Sequence, residues 1–439
     1  MHPEQQAPVE APANVARPDR RMTAGLGGGV ALEWFDWNMY GLMAAFLAPH
    51  FFPSEDPATA LLSALAVFGA GFFARPIGAA LLGPVADLIS HKRVMLISVA
   101  AMSATSLAVA VIPTYQTLGA GAGVMLLVLR LVQGLVTGAE AGVANAIGAE
   151  LAPRGEEGRY LGLISGTFIQ IGIFSASAVA FVVSAIVSPA AMADWAWRVP
   201  FAIAGLAGIA VLYLRKTLPE TLVTRAVSRS YDGPERRGVA SLWKTLWRAR
   251  LALVGVVLVI GSIQIANYAW ITGLPNLANS TYSENSTWVF ALTTVMGVIW
   301  IVSGPIVGGL ADRIGTARAF TAMRLALVPT FFFMLLYSEQ NLAMFGLVMV
   351  LGGVVVGLNM SLYNYVAVTL MPREIRTTGV ALGYALGVSI FGGTSSYLLV
   401  WLRSNGNFWL FAVYGAIVAL VSVVVYYLAR SRGHVHVGR

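Results

Sequence analysis

"GGLADRIGTAR", residues 308–318, has an altered twin in "GPVADLISHKR", residues 83–93. Gly308 and Gly83, and likewise Asp312 and Asp87, stand 225 residues apart. Each copy follows an apolar run long enough to cross a bilayer. A second echo, "RYLG" at 159–162 against "RTTG" at 376–379, has an offset of 217. Self-similarity at a long period signals internal duplication, so the chain is expected to be two copies of one unit.

Composition says what that unit is. Hydrophobic residues make up 57% of the 439 and charged residues 11%, against about 25% charge in soluble domains, and the mean hydropathy is +0.74. Twelve apolar segments read as spans, at roughly 24–50, 58–84, 93–113, 119–150, 159–187, 196–214, 250–278, 286–310, 319–337, 342–370, 377–401 and 408–429. Runs this long satisfy their backbone in hydrocarbon only as helices. The fold class is therefore all-α integral membrane, with twelve transmembrane helices in two six-helix pseudo-repeat bundles. The expected organisation is a tail (1–23), a first bundle (24–215), a central loop (216–249), a second bundle (250–430) and a closing tail (431–439). Two parallel six-span repeats with a site near mid-membrane are a known transporter plan.

The net charge of +8 reports topology. With the N-terminus inside and the spans alternating, 24 of the 28 Lys and Arg fall on the inner side. Arg198 and Arg403 lie outside, and Arg75 and Arg130 within spans. That bias is the positive-inside rule, so both termini are expected in the cytoplasm and no nucleic-acid partner is implied. The first 23 residues lack an apolar core followed by a cleavage site, so the first span is expected to direct insertion. There is no cysteine, which excludes disulfides and thiolate metal sites. The segment 241–255, "SLWKTLWRARLALVG", is expected to begin as an interfacial amphipathic helix.

Chemistry concentrates in the first half. The spans hold Glu33, Asp36, Arg75, Arg130 and Glu140, each costing ~2.5–3.5 kcal/mol at a helix centre even on lenient scales. Glu33, Asp36 and Tyr40 share one helix face by spacing. At ~1.5 Å per residue, Asp36 lies roughly 18 Å in from Ala24, and Arg75 and Arg130 at similar depth. Three carboxylates against two guanidiniums leave one surplus negative charge. Arginine stays protonated while a desolvated carboxylate can take a proton. Asp36 or Glu33 is the candidate proton carrier, with Arg75 or Arg130 as partner. Glu140, among small residues, reads as either a proton relay or a helix clamp. The coupling ion is thus a proton, and no other cofactor is implied.

The second half offers neutral polar groups instead: Gln264, Asn267 and Tyr268, then Asn359 and Asn364, then Tyr384. With Gln170, Asn38 and Tyr40 they form the candidate selectivity set. Arg324, a few residues into its span, is expected to snorkel to the surface. A fixed guanidinium at mid-membrane suits a carboxylate, which makes Arg75 the substrate anchor. Arg198, at the outer mouth, reads either as a second anchor or as an interfacial residue beside Trp195 and Trp197.

The inner-loop pair resembles the signature of the major facilitator superfamily, G-x-x-x-D-R-x-G-R-R/K. The second copy keeps Gly308, Asp312, Arg313 and Gly315; the first keeps Gly83, Asp87 and Lys92 but has Leu88, Ser90 and His91 elsewhere. The resemblance implies that Asp87, Asp312 and Arg313 latch the inner face. "EWFDWNMYG" (33–41), "GFFARPIGA" (71–79), "RLVQG" (130–134), "GAEAG" (138–142), "AWRVPF" (196–201) and "GVALGYALGVSIFGG" (379–393) together resemble the metabolite:proton symporters. That subfamily includes carriers of citrate, tricarballylate, 2-oxoglutarate, shikimate, and proline or betaine. The resemblance implies alternating-access symport of a small organic acid with protons, with Arg130 in proton transfer, by a monomer in a bacterial inner membrane.

Four other readings are weighed on the same residues. A zwitterionic compatible solute also presents one carboxylate and stays open. Drug antiporters of this superfamily carry a Gly-Pro-rich fifth span, whereas "LISGTFIQIGIFSASAVAF" (163–181) has no proline. "LPETL" (218–222) resembles sugar porters, but the tail lacks their terminal signature. An enzyme would need a nucleophile and base; no HExxH or GxSxG occurs, and all five histidines lie in tails or at span edges.

Overall fold

The computed structural model describes residues 20–89, 91–151, 167–216, 245–281, 285–372 and 375–431; side chains at 20–23, 82–92, 139–151, 304–306, 308–312 and 376–378 lie outside that description. Twelve long helices run through the described residues, with no strand among them. The first six are α1 (Arg20–Phe51), α2 (Pro57–Ile89), α3 (His91–Val111), α4 (Gly121–Leu151), α5 (Phe168–Ile186) and α6 (Arg198–Lys216). Next come α7 (Arg250–Tyr268, continuing as Leu274–Thr281), α8 (Ser286–Ile314) and α9 (Thr316–Tyr337). The last are α10 (Leu342–Leu347, continuing as Gly353–Leu370), α11 (Arg376–Gly387, continuing as Gly393–Ser404) and α12 (Phe408–Ser431). The interruptions in α7, α10 and α11 are single π turns at Ala269–Gly273, Val348–Gly352 and Val388–Gly392.

Eleven stretches of these helices are long and apolar enough to cross a membrane unaided. The exception is α1, whose Glu33, Asp36 and Asn38 lower its hydropathy. The protein is a multi-pass membrane protein. We call the side where α1 begins and α12 ends the near side. The observed helices run past the expected apolar limits, as at Arg20 and Ile89, because a helix continues where hydrocarbon stops. Gly315, in the repeated loop, has φ of 87°; the left-handed turn between α8 and α9 favours glycine there.

The duplication is visible in packing. In the first bundle α2 packs on α4, α3 on α4 and α6, and α1 on α2, α5 and α6; the second repeats these pairs six helices later. Between bundles, α2 meets α11, α5 meets α8 and α1 meets α7. The hydrogen bonds that cross between bundles among the described residues lie from mid-helix to the far end: Ser389 to the Phe72 carbonyl (3.0 Å), Thr287 to the Ser184 carbonyl (2.8 Å), and Asn276 to α1.

Small residues set the distance between α2 and α4. A Cβ on Gly134 would lie 2.2 Å from the Gly71 carbonyl oxygen, and one on Gly138 2.0 Å from that of Arg75. Backbone meets backbone, as small-residue spacing allows in membranes. This close seam fixes the separation of Arg75 on α2 from Arg130 on α4.

Two arginines depart from expectation. Arg324 does not snorkel; it is 1% exposed. Its Nη2 donates to the Val259 carbonyl at 2.7 Å, and its guanidinium lies 5.2 Å from the Phe320 ring. Eight residues into α9 is ~12 Å of rise, too deep for the side chain to leave through packed helices. The second bundle therefore holds a cation of its own, and the expected charge surplus no longer follows. Arg215, counted among the inner-side basic residues, is also buried, donating to the carbonyls of Gly25 and Met95.

Candidate functional site

The ionisable groups form two separate pairs on α1. Arg75 Nη2 lies 3.2 Å from Glu33 Oε1, and Arg130 Nη1 lies 3.3 Å from Asp36 Oδ2. Of the pairings the sequence leaves open, Arg75 takes Glu33 and Arg130 takes Asp36. Three residues advance a helix by about 300°, so the two carboxylates diverge enough for each to find its own arginine. Their like charges are thereby answered separately.

Asp36 is enclosed within the first bundle at 2% exposure. Ser106 on α3 donates to Oδ1, and Gln133 Nε2 on α4 donates to Oδ2 at 3.0 Å and to Ser106 Oγ at 3.3 Å. Arg130 stacks over the Tyr40 ring at 4.0 Å. Tyr40 itself donates its hydroxyl to the Ala64 carbonyl at 3.1 Å and stacks on Phe68. Its expected substrate contact is thus replaced by a supporting role: it holds the guanidinium from below.

Arg75 faces the seam between bundles. Its guanidinium lies 4.1 Å from the Trp37 ring and 5.2 Å from Phe72. Tyr268 of α7 meets Phe72 edge-on at 5.1 Å, and Tyr268 and Tyr384 both lie within reach of the charges of Arg75 and Glu33. This set includes buried atoms with no hydrogen-bond partner in the protein: Arg75 Nε, Trp37 Nε1, Tyr268 OH, Gln264 Nε2 and Asn267 Oδ1. Asn267 donates to Gln264 Oε1 at 2.9 Å, which turns the Gln264 amide nitrogen outward. Four of those five atoms are donors, a set suited to an anion.

Other expected groups are elsewhere. Asn359 donates to the carbonyls of Met323 and Val355, so it braces α9 instead of serving the seam. Arg198 donates to the carbonyls of Ala110 and Ile112 through Nη1 and lies 4.4 Å from Trp197; it caps the end of α3. Asn38 donates to the Trp34 carbonyl one turn back. Gln170 and Tyr384 are half-buried, and Asn364 and Arg313 are exposed. The side chains of Glu140, Asp87 and Asp312 lie outside the described residues.

The sequence reading passed over Trp37, Ser106 and Gln133. Gln133 was findable, being three residues from Arg130 and so on its face of α4. Trp37 sat in the quoted motif as an aromatic beside two acids. Ser106 gave no signal, since a serine in an apolar run has many uses.

The sequence matches the profile described as Major Facilitator Superfamily over residues 26–386. It is 32% identical to the alpha-ketoglutarate permease of Escherichia coli K12, covering 93% of both chains. It is 31% identical to the citrate-proton symporter of Klebsiella pneumoniae, covering 83% of this chain and 81% of that one. It is 30% identical to the proline/betaine transporter of Escherichia coli K12, over 90% and 80%. Among solved structures, a D-xylose-proton symporter superposes with a TM-score of 0.72 at 18% identity, over 92% and 96% of the chains. Duplicated six-helix bundles, ion pairs sunk in one of them and a polar seam between them are thus accompanied by similarity along nearly the whole sequence, and the chain belongs to the Major Facilitator Superfamily.

Proposed function

We propose that the protein imports a small organic acid together with one or more protons, working as a monomer in a bacterial inner membrane with the near side cytoplasmic. Arg75 is the anchor for the substrate carboxylate, with Trp37, Gln264, Asn267, Tyr268 and Tyr384 around it. Asp36, braced by Arg130, Gln133 and Ser106, is the proton site. Support comes from one observation above others: the enclosed Asp36–Arg130 pair is distinct from the Arg75–Glu33 pair at the seam. The basic bias of the near side supports the orientation. Similarity to carriers of alpha-ketoglutarate and citrate supports the substrate class.

The two pairs couple through charge. Both guanidiniums lie over the Trp37 ring, at 4.1 and 5.7 Å from its centroid, and hence within about 10 Å of each other. A proton on Asp36 leaves Arg130 without its counter-charge, which favours an anion at Arg75 by about 2 kcal/mol at an effective dielectric of 20. The co-entering proton also offsets the ~2.3 kcal/mol per charge that an inside-negative potential of 100 mV sets against an anion.

A zwitterionic solute is the second reading. The Arg75–Glu33 pair presents both signs at the seam, and the proline/betaine relative fits such a cargo. The test is thermal stabilisation of the purified protein by mono-, di- and tricarboxylates, proline and betaine at two pH values, since a ligand of the folded state raises its melting point. Stabilisation by an acid, stronger at the lower pH while the acid remains ionised, supports acid symport. Stabilisation by betaine alone transfers the assignment to the second reading. If none of these ligands acts, and none enters proteoliposomes down a pH gradient, both readings fail.

A further inference from the structure

Asn276, on the far part of α7, is fully buried, and its carboxamide meets α1 in an unusual way. Its Oδ1 accepts from the Ala45 N–H at 2.8 Å, and its Nδ2 donates to the Gly41 carbonyl at 2.6 Å. Those two groups are four residues apart, the N–H and C=O that an α-helix pairs with each other. The side chain thus sits on one rung of the α1 ladder as a peptide group would. The same Nδ2 also donates to the Thr272 carbonyl of its own helix at 2.7 Å. Approach this close requires Gly41: a Cβ there would lie 2.7 Å from Thr272 Oγ1.

The site sits under the far-side closure. A cavity of about 260 Å³ opens there, lined by Asp56, Leu61, Leu277, Ser280 and Arg403 among others. Leu277 lines its floor, and Asn276 lies one residue deeper. For this seam to open toward the far side, α1 and α7 must part at Asn276. On parting, the Ala45 N–H and Gly41 C=O have each other as the partners an α-helix gives them, so α1 loses nothing. Asn276 retains its bond to Thr272 and turns its Oδ1 to the incoming water. Neither state leaves a buried backbone group on α1 unpaired, so the exchange avoids the usual penalty for an orphaned buried amide. Two arrangements that are both satisfied are what a switch needs.

We propose that Asn276 is a positioning residue that latches the far-side gate by bonding both backbone groups of one rung of α1, and that its release lets the site face outward. This does not depend on which solute is carried. The chain has no cysteine, so Leu61→Cys, buried at 4% exposure on α2, is a single reporter of far-side opening. Labelling by a membrane-impermeant maleimide from the far side is expected to rise about tenfold when Asn276→Ala is added, from loss of the two cross-bundle bonds. Asn276→Asp keeps the acceptor for Ala45 but, when ionised, has no donor for Gly41. Its labelling rate relative to the Leu61→Cys parent should be high at pH 8 and fall toward the parent at pH 5, where a protonated carboxyl donates again. Unchanged labelling in folded Asn276→Ala, or a pH-independent ratio in Asn276→Asp, overturns the latch. Should Asn276→Ala not accumulate as folded protein, the isosteric Asn276→Asp decides alone.

Discussion

At the scale of residues, the question is what divides labour between two acids three positions apart. Asp36 has an arginine, a glutamine and a serine around it inside one bundle; Glu33 shares Arg75 with the seam. Asp36→Asn removes the titrating group and keeps the shape. It should abolish proton-driven accumulation in proteoliposomes while counterflow exchange stays measurable. Substrate binding by this variant should lose its pH dependence, whereas the wild type binds about thirtyfold tighter when Asp36 is protonated, from the charge coupling of the two arginines. Full accumulation by Asp36→Asn would dismiss the proton role. Arg75→Lys keeps the charge but loses the planar fork and its stacking on Trp37. The substrate KM is expected to rise roughly 10- to 100-fold, consistent with a loss of about 1.5–3 kcal/mol from a charged hydrogen bond. An unchanged KM would move the anchor elsewhere.

At the scale of elements, helix spacing and helix ends carry the load. The α2–α4 seam has no room for a side chain at Gly138, where a Cβ would reach 2.0 Å from the Arg75 carbonyl. The obstacle is backbone, so α2 must move and carry Arg75 with it. Gly138→Val should lower stability by about 1–3 kcal/mol, read as a lower melting temperature, and should also raise KM. Helix α2 begins under Asp56, whose carboxylate accepts from the Ala58 and Thr59 amides and the Thr59 hydroxyl. The Thr59 hydroxyl above all, then the amides, hold Asp56 below the usual carboxylate range. A depressed folded pKa contributes stability above the unfolded value and loses it as pH falls through the folded one. Asp56→Ala should therefore melt lower than wild type at pH 7, and the gap should narrow below about pH 4. A gap independent of pH would assign the effect to something other than the cap.

At the scale of the whole molecule, the bonds that cross between bundles among the described residues run from mid-helix to the far end, at Phe72, Ser184, Gly41 and Ala45. Orientation is checked with Ser431→Cys at the end of α12. An impermeant maleimide should label it in inside-out membrane vesicles and leave it untouched in intact cells. Labelling in intact cells would invert the topology, and with it the direction of transport.

Much was legible before any coordinates. Span length and hydropathy determined twelve helices, because hydrocarbon forces each backbone to satisfy itself. The repeated loops at 83–93 and 308–318 determined the duplication, and the cost of burying charge singled out Glu33, Asp36, Arg75 and Arg130. Which arginine each acid takes was not legible, since periodicity places residues on a helix face and says nothing of the helix opposite. Arg324 was misjudged for the same reason: depth from a helix end cannot reveal that neighbouring helices close the way out. Asn276 carries no signal in the sequence beyond that of a polar residue near a span end. Only the approach of α7 to α1 at Gly41 brought its amide onto another helix's backbone, a contact that depends on how two bundles are docked.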